Sequence, residues 1–490
     1  MNPELAKNMS TARRILGRVV VLAALCAILI GLTGHAAEAK QQIRTIRDAE
    51  IEDMLRDWSD PIFKAAGLTP SSVEIILVND PSINAFVALG QNMFIHTGLI
   101  NEADLPNEVV GVIAHETGHI AGGHLARLPG AAGKATTPLI VSLLLGAAAI
   151  AAGAPDVGAA VMSGGAHIAQ RQILAYNRTQ ESAADQAAMR YLERTGQSSK
   201  GLLTFFDQFR DSTVMMDRSI DPYAQTHPMP QDRIASLEQR VAESQFRDRK
   251  DSPEEIHRLK MAQAKLHGFL DDIGSVYRRY PESDQSLPAH YARSIAYFRE
   301  AKVEEALDEL TPVFEAEPEN PYLHELKSQI LFENGRVKQA IPPARLALEL
   351  APDEPLLRIA LGQALLASDE AGADRTVALE AKNNLEMAVR EDPHNPLAWR
   401  QLAQAYARLG DEAMADLATA ERYFAVGAIG DAKGFAMRAR RKLKKGSEAW
   451  QRASDILVTG GDGEPGEETP MPRDPKRKPG FNFEWRAGSR

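Results

Sequence analysis

Apolar residues change rhythm along the chain, and each rhythm predicts a different element. Val19 to Leu32 is an uninterrupted apolar run behind Lys7, Arg13, Arg14 and Arg18. Residues 40–70 have helical spacing, with Ile43, Ile46, Ile51, Met54, Leu55 and Trp58 on one side. Val73–Val78 reads as a strand closed by Asn79-Asp80-Pro81, and Ile83–Ala88 and Gln91–His96 as further strands around Gly90. These strands either offer an edge to an extended substrate or form a purely structural hairpin. Residues 108–121 return to helical spacing, with no breaker before Gly122-Gly123. Residues 137–164 are apolar, interrupted at Gly153-Ala154-Pro155-Asp156. Each half is short for a bilayer span, so this stretch reads as a helical hairpin that is buried or touches a membrane. Asn177–Leu192 is an alanine-lined helix that stops at Gly196.

Past a charged, helical connector (241–289), the pattern repeats. Pro318, Pro352 and Pro393 each end a helix, and Pro321, Pro355 and Pro396 each precede the next. The first interval is 34 residues, the tetratricopeptide period, and the second is 41, which an insertion near Asp369–Asp374 accounts for. Trp399, Leu402, Ala403, Tyr406 and Gly410 sit at the repeat's helix and turn positions. Residues 290–455 therefore read as about four helix pairs stacked into a solenoid with a concave binding face. The tail, 456–490, is Gly/Pro-rich and charged and is expected to be disordered; its aromatic patch, Phe481–Trp485, either docks a partner or is inert. The expected fold is mostly α with a small β-sheet, a compact domain at 40–240 leading into the solenoid.

The net charge of −10 with no basic stripe argues against nucleic acid as the main partner. The basic start, the apolar run and Ala36-Ala37-Glu38-Ala39 form a secretory signal (1–39), cut after Ala39, and predict a periplasmic location. An uncleaved membrane anchor is the alternative. The single cysteine, Cys26, falls in that segment, so the mature protein would carry neither a disulfide nor a cysteine-bound metal.

The chemistry concentrates at His115-Glu116-Thr117-Gly118-His119. On a helix, His115 and His119 are about 40° apart around the axis, so both imidazoles leave one face, as two ligands of one Zn²⁺ require. Glu116 lies one step round, where its carboxylate can take a proton from a metal-activated water and pass it to a leaving amine. His124 falls one residue short of the third-ligand position in the longer H-E-x-x-H-x-x-G-x-x-H pattern, occupied here by Leu125. On a continuing helix it would point about 140° away from His119, and it reads as a helix-end histidine outside the ligand set. Glu181 and Asp185 share one face of the alanine-lined helix. Glu181 fits the third ligand, and Asp185 can accept a hydrogen bond from the free nitrogen of a liganding histidine and so support catalysis.

The ordered set His115-Glu116-x-x-His119, Glu181-x-x-Ala184-Asp185, Thr226-His227-Pro228 and Arg233-Ile234, with Asn84-Ala85-Phe86 and Thr97–Ile100 ahead of it, resembles the HtpX- and Oma-like gluzincin peptidases, family forty-eight of the metallopeptidases. The resemblance spans roughly residues 45–240 and implies a zinc metalloendopeptidase with one Zn²⁺ per chain. It also implies a regulatory role for His227 as a fourth ligand that holds the enzyme latent; from the residues alone, His227-Pro228 reads as a turn. Arg178 and Arg233 either position carboxylates or substrate carbonyls or form plain salt bridges, and Asn84, on the family's approach to the zinc helix, is a further candidate for positioning the substrate. A peptidase of this family joined to such repeats is similar to the beta-barrel assembly-enhancing proteases of Gram-negative bacteria. That implies misfolded or stalled outer-membrane proteins as substrates, and the outer-membrane assembly machinery as the repeats' partner. A largely latent protease serving as an assembly scaffold is the alternative.

Overall fold

A computed structural model describes residues 44–127, 140–145, 155–207, 227, 231–369, 372 and 374–459. The expected signal segment, the tail beyond 459 and much of the 128–154 stretch lie outside the described residues.

A mixed four-stranded sheet opens the fold. Strands β1 (Thr45–Ile46), β2 (Ile75–Val78), β3 (Ala85–Ala88) and β4 (Asn92–His96) run in the order β1-β2-β4-β3. β2 is parallel to β4, and the other pairs are antiparallel. Ile46, placed on the helix by its spacing, is instead a strand residue opposite Leu77. The helix, α1 (Ala49–Ala65), starts only at Asp48, whose carboxylate accepts the Ile51 N–H at 2.9 Å. Ile83 likewise lies outside β3. The β3–β4 hairpin turns through the three residues 89–91, with Leu89 and Gly90 at positive φ.

Helix α2 (Thr97–Glu102) leads to α3 (Pro106–Gly122), which is buried from Pro106 to Gly118. The long α4 (Pro155–Arg194) packs along α3 at a glycine: a Cβ on Gly118 would lie 2.9 Å from the Ala184 Cα and backbone oxygen. Helix α5 (Lys200–Asp207) and α6 (Gln231–Glu243) close the far side. Asn107 ties α3 to the start of α5, its Nδ2 donating to Ser198 O and its Oδ1 accepting from Gly201 N. Residues 140–145 are helical, and Ile140, Val141, Leu143, Leu144 and Leu145 are exposed rather than part of the core. Among the described residues, no helix is long and apolar enough to cross a membrane.

The stretch expected as a connector contains α7 (Pro253–Leu270) and α8 (Ile273–Arg279). α7 is buried on both faces: Leu259, Ala262 and Leu266 join the core around α3, while Met261, Ala264 and Phe269 join the core of the first repeats. Between these faces, Lys265 Nζ meets Asp48 Oδ2 at 2.8 Å and Glu50 Oε2 at 3.1 Å, and Tyr291 Oη donates to Glu50.

The repeats then stack as helix pairs: α9 (Leu287–Arg299) with α10 (Val303–Ala316), α11 (Pro321–Glu333) with α12 (Val337–Leu350), α13 (Pro355–Ser368) with α14 (Arg375–Glu391), α15 (Pro396–Leu409) with α16 (Glu412–Ala425), and α17 (Ile429–Lys442) with α18 (Glu448–Val458). The 34-residue period is visible in single bonds. Ser294 Oγ donates to Ala306 O and, one period later, Ser328 Oγ to Ala340 O. The next equivalent position is Gly362, where a Cβ would crowd Leu385. Part of the extra length near Asp369 goes into α14, 17 residues long against 14 for α12.

Candidate metal centre

α3 presents His115, Glu116 and His119, α4 presents Glu181 and Asp185, and the segment before α6 presents His227. One ligand atom from each of His115, His119, Glu181 and His227 can be chosen so that all lie within 4.8 Å of one another. The Nε2 atoms of His115 and His119 are 3.1 Å apart, and Glu181 oxygens lie 3.4 and 3.5 Å from them. His227 Nδ1 is 3.1 Å from Glu181 Oε2, and its Nε2 is 3.5 Å from Glu116 Oε1. The His227 ring therefore stands between the cluster and Glu116.

Gly118 makes this convergence possible, because any side chain there would push α4, and Glu181 with it, away from the histidines. The remaining nitrogens of the α3 histidines are held from outside. Asp185 Oδ1 is 3.0 Å from His115 Nδ1, near in distance although poorly aligned as a hydrogen bond. Arg233 grips Asp185 through two bonds of 2.8 Å and reaches Glu181 at 3.0 Å, with its guanidinium 5.6 Å from the centre of the Phe206 ring. Such a bidentate, buried pair fixes the carboxylate plane.

His124 supplies the support that sequence reasoning missed. α3 ends at Gly123, which is left-handed (φ 61°), and the chain doubles back so that His124 Nδ1 lies 3.0 Å from His119 Nδ1. A Cβ on Gly122 would collide with that ring. The 140° offset assumed a continuing helix; the adjacent glycines were the signal that it would not continue.

Arg178 is exposed and lines a pocket of about 350 Å³ beside Asp185, Arg233 and Arg240, without joining the cluster. Asn84 is buried just before β3; its backbone oxygen accepts from His96 N, and its Oδ1 has no partner among the described residues.

The electrostatics divide the roles. Burial works against a charge on His115, but Asp185 and Glu181 outweigh it and push its pKa up to about 10. Burial and the neighbouring His115 charge push His119 down to about 2. Despite burial, His115 and His227 hold Glu181 far below the usual carboxylate range. Burial raises Glu116, which has no tight partner at Oε1, as suits a carboxylate that must both take and give a proton. A buried set of imidazoles and one carboxylate is a nitrogen-rich set that could hold a divalent metal, with the buried Glu116 carboxylate at its side.

Residues 45–241 match the model of peptidase family M48. This segment is an M48 metallopeptidase domain. The chain is 27% identical to the beta-barrel assembly-enhancing protease of Yersinia pestis over 382 residues, covering 76% of this chain and 75% of that protein. It is 26% identical to the Escherichia coli (strain K12) protein of that name over 410 residues, covering 82% and 81%. Both alignments are too long to be confined to the M48 domain and must include repeat sequence. The mitochondrial metalloendopeptidase OMA1 of Schizosaccharomyces pombe aligns over 186 residues at 23% identity, 38% of this chain and 52% of that one.

Proposed function

We propose that the chain is a periplasmic zinc metalloendopeptidase that cleaves misfolded or stalled outer-membrane proteins, with its repeats contacting those substrates or the assembly machinery. The observation that carries this reading is the convergence of His115, His119 and Glu181 beside the buried Glu116. The names and extended coverage of the Yersinia and Escherichia relatives support the envelope setting.

When bound, zinc supplies a Lewis acid that polarises the scissile carbonyl and makes water acidic enough to deprotonate near neutral pH. His115 and His119 turn their Nε2 atoms inward because Asp185 and His124 occupy their Nδ1 sides. Arg233 holds Asp185 and Glu181 in place. Glu116 accepts the proton of the attacking water and returns it to the leaving nitrogen, which its raised pKa favours. His227 must withdraw for a substrate carbonyl to approach, so the resting chain is latent.

That same placement of His227 favours a second reading, a mostly latent protease acting as an assembly scaffold through its repeats. The native chain, Glu116→Gln and His227→Ala, each loaded with zinc, separate the two on an unfolded outer-membrane protein. The protease reading expects cutting by the native form, faster cutting after His227→Ala and none after Glu116→Gln. If no form cuts although zinc is stoichiometric, the scaffold reading takes its place.

A further inference from the structure

A second concave site lies away from the metal centre, between the sheet and the repeats. Its volume is about 910 Å³, within the roughly 300–1,000 Å³ of ligand clefts. Val73 to Ile76 line one wall, and side chains of α13, α15 and α16 line the other.

The sheet wall carries an open edge. β1 covers β2 only at Leu77 and Val78, because Asp48 turns the chain into α1 immediately after Arg47. Peptide groups alternate sides along a strand, and Glu74 O accepts from Met93 N on the β4 side. The N–H and C=O of Ile75 therefore face the cleft, and among the described residues no strand pairs with them there. Val73 O is already taken by Arg56 Nη1.

The repeat wall carries apolar surface and, locally, a pair of arginines. Val426 is 56% exposed, and Leu397 is half-buried beside it. The lining as a whole is balanced, four arginines against four acids: Arg47 is shared between Glu52 and Asp392 at 2.8 and 2.6 Å, and Glu391 lies 3.6 Å from Arg358. Arg400 on α15 and Arg422 on α16 do not share in this: the charge of each opposes the other, and neither has an acidic partner among the described residues.

We infer that this cleft holds an extended polypeptide segment bearing carboxylates, which adds to the β2 edge at Ile75 as a strand while its acidic groups meet Arg400 and Arg422. Main-chain bonding to an open edge is tolerant of sequence, and the arginines would set a preference for acidic segments or a free C-terminus. The site goes beyond the catalytic reading and needs no metal. It would retain an unfolded chain beside the peptidase whether or not a bond is cut.

The test uses the full chain carrying Glu116→Gln, so that nothing is cleaved. Fluorescence anisotropy is read with a labelled peptide of alternating valine and threonine that ends in aspartates and a free carboxylate. A lysine-for-aspartate, amidated version and a version N-methylated at alternate residues serve as comparisons. The expected result is binding of the first peptide, weakened about tenfold or more by either change and by Arg400→Glu/Arg422→Glu in the protein. Both arginine positions retain solvent access, and an unchanged melting temperature checks the fold of that variant. Equal binding of all three peptides, or undiminished binding by the doubly reversed variant, overturns the inference. So does a dimer of the chain that excludes the peptide. Cutting by the native chain is scored separately, so failure here leaves the zinc reading standing, and the reverse.

Discussion

Replacing Lys265 with methionine isolates the charge that joins the repeats to the M48 domain. Lys265 is 4% exposed, and its ammonium is shared by Asp48 and Glu50. Asp48 keeps its bond from Ile51 N in the variant, and Glu50 keeps the Tyr291 hydroxyl, but the cation is gone. An unpaired buried carboxylate escapes by binding a proton, which sets a ceiling on the cost. For an ordinary Glu pKa of about 4.3, protonation costs about 4 kcal/mol at pH 7 and about 1 kcal/mol at pH 5. The upper figure agrees with the ~3–5 kcal/mol for breaking a buried pair. Burial already raises the Glu50 pKa with Lys265 present, and removing the ammonium raises it further. A group whose folded pKa is raised stabilises the fold below its unfolded pKa and loses that contribution as pH rises through the folded value. The deficit of Lys265→Met must therefore grow with pH. Opening free energies from amide exchange along the first turns of α1, referenced to the intrinsic rate at each pH, measure it. A deficit that is the same at low and neutral pH, or below about 1 kcal/mol at pH 7, refutes the reasoning. Adding Glu50→Gln should restore part of the loss; no recovery would place the cost in packing instead.

Other outcomes follow from the same geometry. His124→Ala should weaken zinc binding about 10- to 100-fold in a chelator competition, with His124→Asn recovering part of it, because the His119 Nδ1 partner is lost. Gly118→Ala should cost about 1–3 kcal/mol and lower zinc affinity, read by thermal melting and chelator competition, since its Cβ forces α4 from α3. Burial pushes Glu325 up to about 7, with Lys265 opposing, and Glu354 up to about 8, with nearby acids adding. Between the ordinary value of 4.5 and these raised values the folded chain keeps protons that the unfolded chain has lost, so the melting temperature should fall from about pH 4.5 up to 7 to 8 and level off above, and Glu325→Gln/Glu354→Gln should flatten that fall.

Much of the site was legible because its geometry is local. His115 with His119, and Glu181 with Asp185, are each one helical turn apart, so spacing alone puts each pair on one face. The supports were harder to read. The ring of His124 turns toward His119 because the rotation rule applies only while the helix lasts, and Gly123 ends it. Ile46 fits a helical stripe and a strand equally well; Leu77 opposite it and the cap at Asp48 decide the matter. The 34-residue period exposed the repeats because identical small-residue contacts recur at it. No spacing connects Lys265 to Asp48, 217 positions away, and the charged opening of α7 concealed how deeply its later residues are buried.

That burial bears on where control of the protease can lie. Domains within one chain ordinarily meet through modest, polar surfaces and move against each other. Here α7 gives Leu259 and Leu266 to one core and Met261 and Phe269 to the other, with the Lys265 cluster between them. Gln263 adds bonds from its side chain to Ile100 O and Ala103 O at the end of α2. Swinging the repeats away would expose both cores and strand a buried lysine, a cost far above the few kcal/mol that separate ordinary conformational states. The repeats and the M48 domain should therefore move as one body. His227 is held in the cluster by contacts of 3.1 to 3.5 Å to Glu181, His115 and Glu116. On the proposed function, access to Glu116 is governed at His227, and a partner bound to the repeats would act there rather than by bending the chain at its seam.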